Sequence, residues 1–187
     1  MIYVVVIILL AFIMVCWNGL VNKRNSVENA LSTIDTCLQT RLDLMSNLFE
    51  QIAITFKHEK ELYSEIVKLR TMQDDVKKEY IENEKKNIIE IDKKVSHINR
   101  QYLAIHENYP QISSIKAVCK AMDANIEVEN QINAARRNYN NNVQSYRDAI
   151  QSFPNIIVAG ILGFRNKYEL YKADEGAEKR VSPKDFI

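Results

Sequence analysis

Glycine and proline are scarce in this chain of 187 residues, with four of the first and three of the second. Between Gly19 and Pro154 there is no glycine and a single proline, Pro110. A stretch free of both common helix breakers reads as long amphipathic helices. Gly160 and Gly163 are too few and too apolar in context for a phosphate-cradling loop, and no Ser or Cys has a nucleophile elbow around it. Cysteine is also sparse. Cys16, Cys37 and Cys119 form an odd set without C-x-x-C spacing, which suits a reducing compartment better than a disulfide framework, and they read as small apolar side chains. Neither sign of charge dominates: 25 basic and 24 acidic residues interleave to a net charge of +1, so no basic face for nucleic acid is expected. At this length one domain and a membrane segment fit, and a second globular domain does not.

What is present begins at Met1. Residues Met1 to Trp17 are apolar without a break, and up to Val21 the one clearly polar residue is Asn18. At 1.5 Å per residue about twenty residues cross the hydrocarbon core, so 1–21 is read as a transmembrane anchor. A cleaved secretory signal wants a basic region ahead of the apolar one and small residues at the cut, whereas this run opens Met1, Ile2, Tyr3, Val4. Bulky Val15 and Trp17 flank Cys16, which argues against lipidation there. The first basic side chains, Lys23 and Arg24, follow the run, which predicts an outside N-terminus and a cytoplasmic domain.

After the anchor, Val27, Leu31, Ile34, Leu38, Met45, Leu48, Ile52, Phe56, Tyr63 and Ile66 recur at steps of mostly three and four, predicting one helix over 22–72. A second helix is predicted over 74–105, on Val76, Tyr80, Ile88, Ile91, Val95, Ile98, Tyr102 and Ile105. Pro110 marks a corner, and a third helix starts at Gln111 and carries Ile115, Cys119, Met122, Ile126, Ile132, Tyr139, Val143, Tyr146 and Ile150. Pro154 suits the first turn of a shorter fourth helix, 154–171, whose apolar run is too short for a second span. The expected fold is all-α: a single transmembrane helix, then an antiparallel bundle of three long helices plus a shorter fourth over 22–171. Residues 172–187 are expected to form a mobile tail, in which Lys179, Arg180 and Lys184 around Phe186 suit an anionic membrane or a groove.

The segment Arg24-Asn25-Ser26-Val27-Glu28-Asn29-Ala30-Leu31-Ser32-Thr33-Ile34-Asp35, followed by Leu38, Arg41, Asp43, Leu44, Asn47 and Leu48, resembles the opening signature of the LemA family of bacterial membrane proteins. Later segments agree in order: His58-Glu59, Arg70, Glu107-Asn108-Tyr109-Pro110, Glu129-Asn130-Gln131-Ile132, Ala135-Arg136, Tyr139-Asn140, Phe153-Pro154 and Gly163-Phe164. Arg147 after Tyr146, where the family commonly has Asn, and Asp185 near the end depart from the pattern. The resemblance implies a single-span protein of the bacterial inner membrane with a helical bundle and no established enzymatic activity. One branch of the family is associated with magnetosome membrane formation, and other members are sometimes encoded beside membrane metalloproteases, so scaffold and adaptor roles have precedent.

Three charged residues lie on inward-facing lines. Arg41 falls between Leu38 and Met45, Glu129 follows Ile126 by three, and Arg136 lies seven beyond Glu129. Alignment by helix rise places Arg41 near Glu107, and Arg136 near Glu59 or Glu65, as ion pairs that fix register. Asn138, Tyr139, Asn142 and Tyr146 form a candidate contact face, with hydrogen bonds inside the bundle as the rival reading. Enzyme chemistry finds no support: His58-Glu59 lacks the second histidine of a zinc protease, Leu62 standing there, and Thr55, Lys94 and Leu103 precede the three histidines where a di-iron bundle needs glutamate. The expected function is a non-enzymatic, cofactor-free, membrane-anchored scaffold or adaptor for a membrane protein partner or for copies of itself. A regulatory subunit of a membrane enzyme such as a metalloprotease is the alternative, and a metal- or ligand-binding bundle the third.

Overall fold

A computed structural model of the chain describes residues 1–82 and 87–172. The tail predicted over 172–187 lies outside the described residues from 173 onward. Among the described residues there are five α-helices, one 3₁₀ turn and no strand. They are α1 (Ile2–Thr55), α2 (Lys60–Glu82), α3 (Ile88–Asn108), the 3₁₀ turn Pro110–Ser114, α4 (Lys116–Gln151) and α5 (Asn155–Leu162). Residues 163–172 follow as irregular chain laid along α4, here called the strap.

The first helix is unbroken for 54 residues, about 80 Å at 1.5 Å per residue. Its first part is long and apolar enough to cross a membrane, and there its side chains stand exposed almost all round. From Cys16 onward one stripe turns inward: Leu20, Val27, Ala30, Ile34, Leu38, Met45, Leu48 and Ile52 are buried in the core. Hydroxyls on the outer faces of this helix fold back, Ser26, Thr33, Thr36 and Thr40 each donating to the carbonyl four residues earlier, so they do not interrupt it.

The structure differs from the expected helix count. The predicted helix 22–72 is two helices, with a corner over 56–59 that uses neither glycine nor proline. There the Phe56 amide closes the last turn on the Ile52 carbonyl, and the Glu59 amide bonds the Phe56 carbonyl, both at 2.9 Å. The physical reason is in the side chains: Lys57 to Glu61 offers five residues without an apolar one, so a helix continuing through them has nothing to bury for a full turn. The stripe resumes one position out of phase, with Leu62 fully buried and Tyr63 39% exposed. Similarly, the predicted second helix divides into the C-terminal part of α2 and α3, and the fourth helix stops at Leu162, where Gly163 takes φ 76°. On α4, Ile126 is exposed and Val118, Asn125 and Val128 hold the inner line instead.

Side-chain pairs record how the helices meet. Along α1, Gln39 donates to the Tyr80 hydroxyl at 2.8 Å, Asp43 pairs with Lys77 at 2.9 Å and the Ser46 hydroxyl accepts from Gln73 at 2.6 Å, so partners on α2 fall in number as α1 rises. Between α3 and α4 the order is likewise reversed, Asp92 meeting Arg136 and Asn99 meeting Asn125. Between α1 and α3 the order is the same, with Ser96 at Arg41 and Tyr102 at Phe49.

This phase assignment has a direct test. Leu62→Ala empties a fully buried position and is expected to cost about 2–5 kcal/mol, whereas Tyr63→Ala at an exposed position costs under about 1 kcal/mol. Chemical unfolding of the full-length protein in detergent measures both, and equal losses would place the corner wrongly.

Candidate functional site

The most distinctive arrangement is a buried polar network where α1, α3 and α4 meet. Arg41 is 1% exposed and its guanidinium pairs with the Glu129 carboxylate. The same guanidinium donates to the Ser96 hydroxyl at 3.3 Å. Arg136 forks onto Asp92, Nε to Oδ2 at 2.8 Å and Nη2 to Oδ1 at 2.7 Å, and Nη2 also reaches Ser96 at 3.1 Å. Asn133 joins the two pairs, accepting from Arg136 at 3.1 Å and donating to Glu129 at 3.5 Å. Two guanidinium groups and two carboxylates thus balance around one shared serine hydroxyl.

Burial is the largest influence on both arginines. It pulls Arg41 below its usual value against the opposing attraction of Glu129 and Asp92. On Arg136 burial also acts downward, but the fork to Asp92 and the charges of Asp92 and Glu129 outweigh it and the value rises. Four grooves of about 300–510 Å³ open on the described surface, and Arg41, Asp92, Glu129 and Arg136 line none of these four.

Of the five residues expected in an ion-pair network, Arg41, Glu129 and Arg136 come together. Glu107 and Glu59 do not. Glu107 is exposed, and Glu59 is exposed at the 56–59 corner and accepts from Gln111 at 3.2 Å; Glu65 is exposed as well. The added corner explains this correction. Gln111 and Glu59 bring the two corners side by side, and Arg41 stands fifteen residues before Phe56 while Glu129 stands fourteen after Ile115, so equal helix rise makes them level. Asp92 and Ser96 were missed, although their spacing of four beside Ile91 and Val95 puts both at the edge of the α3 stripe.

The candidate contact face divides in two. Tyr139 and Tyr146 are each 2% exposed and face the chain's own strap, edge-on to Tyr171 at 5.6 Å and Tyr168 at 5.7 Å. They are therefore interior residues, because the strap supplies the aromatic surface expected of a partner. Asn138 is exposed and Asn142 half-buried, and the Asn142 amide donates to the Asn138 carbonyl at 2.9 Å. Their neighbour Asn140 does the docking: its side chain both donates to the Tyr171 carbonyl and accepts from the Tyr171 amide, each at 2.9 Å, as a strand neighbour does. Arg147 adds a 2.7 Å bond to the Tyr168 carbonyl, and Tyr168 donates to Glu28 on α1 at 3.0 Å. The Arg136 guanidinium lies 5.7 Å from the Tyr171 ring, which joins the strap to the ion network.

Among the described residues no group of three His, Cys, Asp or Glu side chains is placed to hold a metal ion. Tyr102 is the other polar side chain of interest. Its ring packs on Phe49, its hydroxyl finds no partner, and burial pushes its pKa up to about 12.

The family model described as the LemA family matches residues 30–185. Comparison with curated proteins gives no match.

Removing Glu129 leaves the fully buried guanidinium without its partner, so Glu129→Gln is expected to cost about 3 kcal/mol, and the double change Arg41→Met with Glu129→Leu to recover most of that. Thermal unfolding followed by circular dichroism measures both, and an unaffected Arg41→Ala protein would refute the network's structural role. Tyr102 gives a pH test. Its native value lies above the unfolded 10.0, so the unfolded chain loses the proton first and stability falls as pH rises from 10 to about 12. Tyr102→Phe is expected to flatten that fall by about 2–3 kcal/mol in unfolding titrations.

Proposed function

This chain belongs to the LemA family, and from that premise we propose that it is a membrane-anchored, non-enzymatic scaffold or adaptor. Residues 1–21 are the anchor in this reading and residues 22–171 an antiparallel helical bundle held on the cytoplasmic side of a bacterial inner membrane. The reversed order of the α1–α2 and α3–α4 pairs supports the antiparallel reading, and Lys23 and Arg24 after the apolar segment support the orientation.

The observation that carries the proposal is the continuity of α1. One helix without proline runs from the apolar segment into the centre of the domain, with its stripe buried as far as Ile52. A flexible linker lets a tethered domain explore, whereas a continuous helix holds it at a set height and tilt. Anchoring confines the domain to two dimensions and raises the effective concentration of whatever else is confined there. The buried ions serve register in this reading, a role supported by their facing one another as pairs with Arg41 and Asp92 almost fully buried.

Crosslinking of the intact protein in its native membrane, with mass spectrometry of the captured species, tests this reading against the same chain lacking residues 1–21. One dominant partner that is lost without the anchor is the result expected of an adaptor, and ordered multiples of the chain itself are expected of a self-assembling scaffold. If the captured partner were a membrane enzyme whose turnover changes without this protein, the role would be regulatory. Identical capture with and without the anchor would overturn the proposal.

A further inference from the structure

A second apolar surface stands beside the first. A groove of about 510 Å³ runs between the N-terminal part of α1 and the short helix α5, lined by Leu9, Phe12 and Ile13 on one side and by Phe153, Ile157 and Ile161 among others on the other. The far side of α5 is uncovered: Phe153 and Ile161 are about four-fifths exposed. An isolated apolar helix of eight residues in water has no reason to hold its large side chains outward.

The position of this surface identifies what covers it. Leu9, Phe12 and Ile13 precede Lys23 by ten to fourteen residues, which places the groove about 15–21 Å along α1 from the first basic side chain. That is about half the depth of a hydrocarbon core of ~30 Å. The polar borders also coincide. On α1 the apolar segment ends at Trp17 to Arg24, and after α5 the apolar run ends at Phe164, followed by Arg165 and Lys167. These borders touch in space, Trp17 and Phe164 lying ring to ring at 5.3 Å and the Arg24 guanidinium 6.0 Å from the Phe164 ring. Several backbone amides at the two ends of α5 are satisfied within the chain as well. The Ile156 amide bonds the Ser152 carbonyl at 2.9 Å, the Ile157 amide bonds the Pro154 carbonyl at 3.3 Å, Pro154 has no amide hydrogen, and the Phe164 amide returns to the Ala159 carbonyl at 3.0 Å.

We infer that α5 with Phe153 is a second membrane-embedded element, inserted beside α1 into one leaflet without crossing, so that lipid acyl chains fill the groove and cover the outer face of α5. The inference rests on the reading of residues 1–21 as a membrane anchor. Insertion needs no second span: α5 enters from the end of α4 and the chain leaves through Gly163, whose φ of 76° permits the sharp exit.

Trp17 is the only tryptophan, so single-tryptophan variants report depth. In a Trp17→Phe background of the full-length protein reconstituted in phospholipid vesicles, Phe153→Trp and Ile161→Trp report α5, and Ile8→Trp reports the anchor. All three sites are exposed, so each accepts the larger ring. With phospholipids brominated on the acyl chain, the two α5 variants are expected to lose emission to the same degree as the Ile8→Trp variant. Quenching of Ile8→Trp with neither α5 variant affected would overturn the insertion of α5 and leave the anchor standing. No quenching of Ile8→Trp would overturn the anchor, and the insertion with it.

Discussion

Everything in this molecule depends on one helix serving two surroundings. From Ile2 to Thr55 the backbone of α1 never breaks, yet its side chains obey different rules in its two parts. Over the first fifteen residues nearly every face is apolar and exposed, and from Cys16 the apolar residues narrow to a stripe that is buried as far as Ile52. A helix transmits phase: once the stripe is set in the domain, the rotational position of every side chain in the apolar segment is set too. Gly19 does not loosen this, because it sits inside the helix, and a methyl group in place of its hydrogen would meet no neighbour within 4 Å, so it marks no close contact. The rest of the domain is an answer to the need to cover the α1 stripe along its whole inner length.

Apolar stripes alone leave that answer degenerate, since Leu and Ile positions on neighbouring helices pack tolerably one turn up or down. The ion network removes the degeneracy. Sliding α4 by a turn moves Glu129 about 5.4 Å from Arg41 and Arg136 the same distance from Asp92, which strands the buried charges of Arg41 and Asp92. Such a network adds little net stability against a well-packed apolar core, but its wrong registers are costly. The α2 helix is held differently: Gln73 reaches the Ser46 hydroxyl, Tyr80 accepts from Gln39 and donates to the Asp35 carboxylate, and Lys77 pairs with Asp43 at the exposed edge. The distinction fits position, because α2 lies to one side while α1, α3 and α4 surround the point where Arg41 is buried.

How much of this was legible depends on whether a feature repeats. The stripe from Val27 to Ile52 was readable because it recurs every three or four residues, and Arg41, Glu129 and Arg136 were readable because charge stands out on such a line. Their partners were not, since a partner depends on where the chain turns, and one misplaced corner shifts every later level. The corner itself left a trace in the run Lys57 to Glu61, but without glycine or proline it lacked the usual punctuation. The strap was invisible for a different reason. Its docking uses the amide and carbonyl of Tyr171 and the carbonyl of Tyr168, groups that every residue possesses and no sequence displays. The asparagine cluster pointed to the right stretch of α4 and left its occupant open between a partner and the bundle itself.

The strap also bears on the proposed membrane-tethered arrangement. It begins at Phe164, against Trp17 and Arg24, passes Tyr168 at Glu28 and Tyr146, and ends at Tyr171 against Arg136. One short segment therefore ties the level where the apolar surfaces end to the buried ions of the core. A domain held by a single helix is free to spin about that helix and presents its faces in every direction along the membrane plane. In the proposed arrangement, with α5 embedded beside α1 and with α4 and the strap both leading from α5 back to the core, the domain would have two points of attachment and that rotation would be lost. Each face of the domain then keeps a fixed height and bearing, so two copies, or a copy and a partner, meet with their orientations already set. For a scaffold this is the useful property: orientation fixed before encounter lowers the entropy lost on binding without requiring a larger interface.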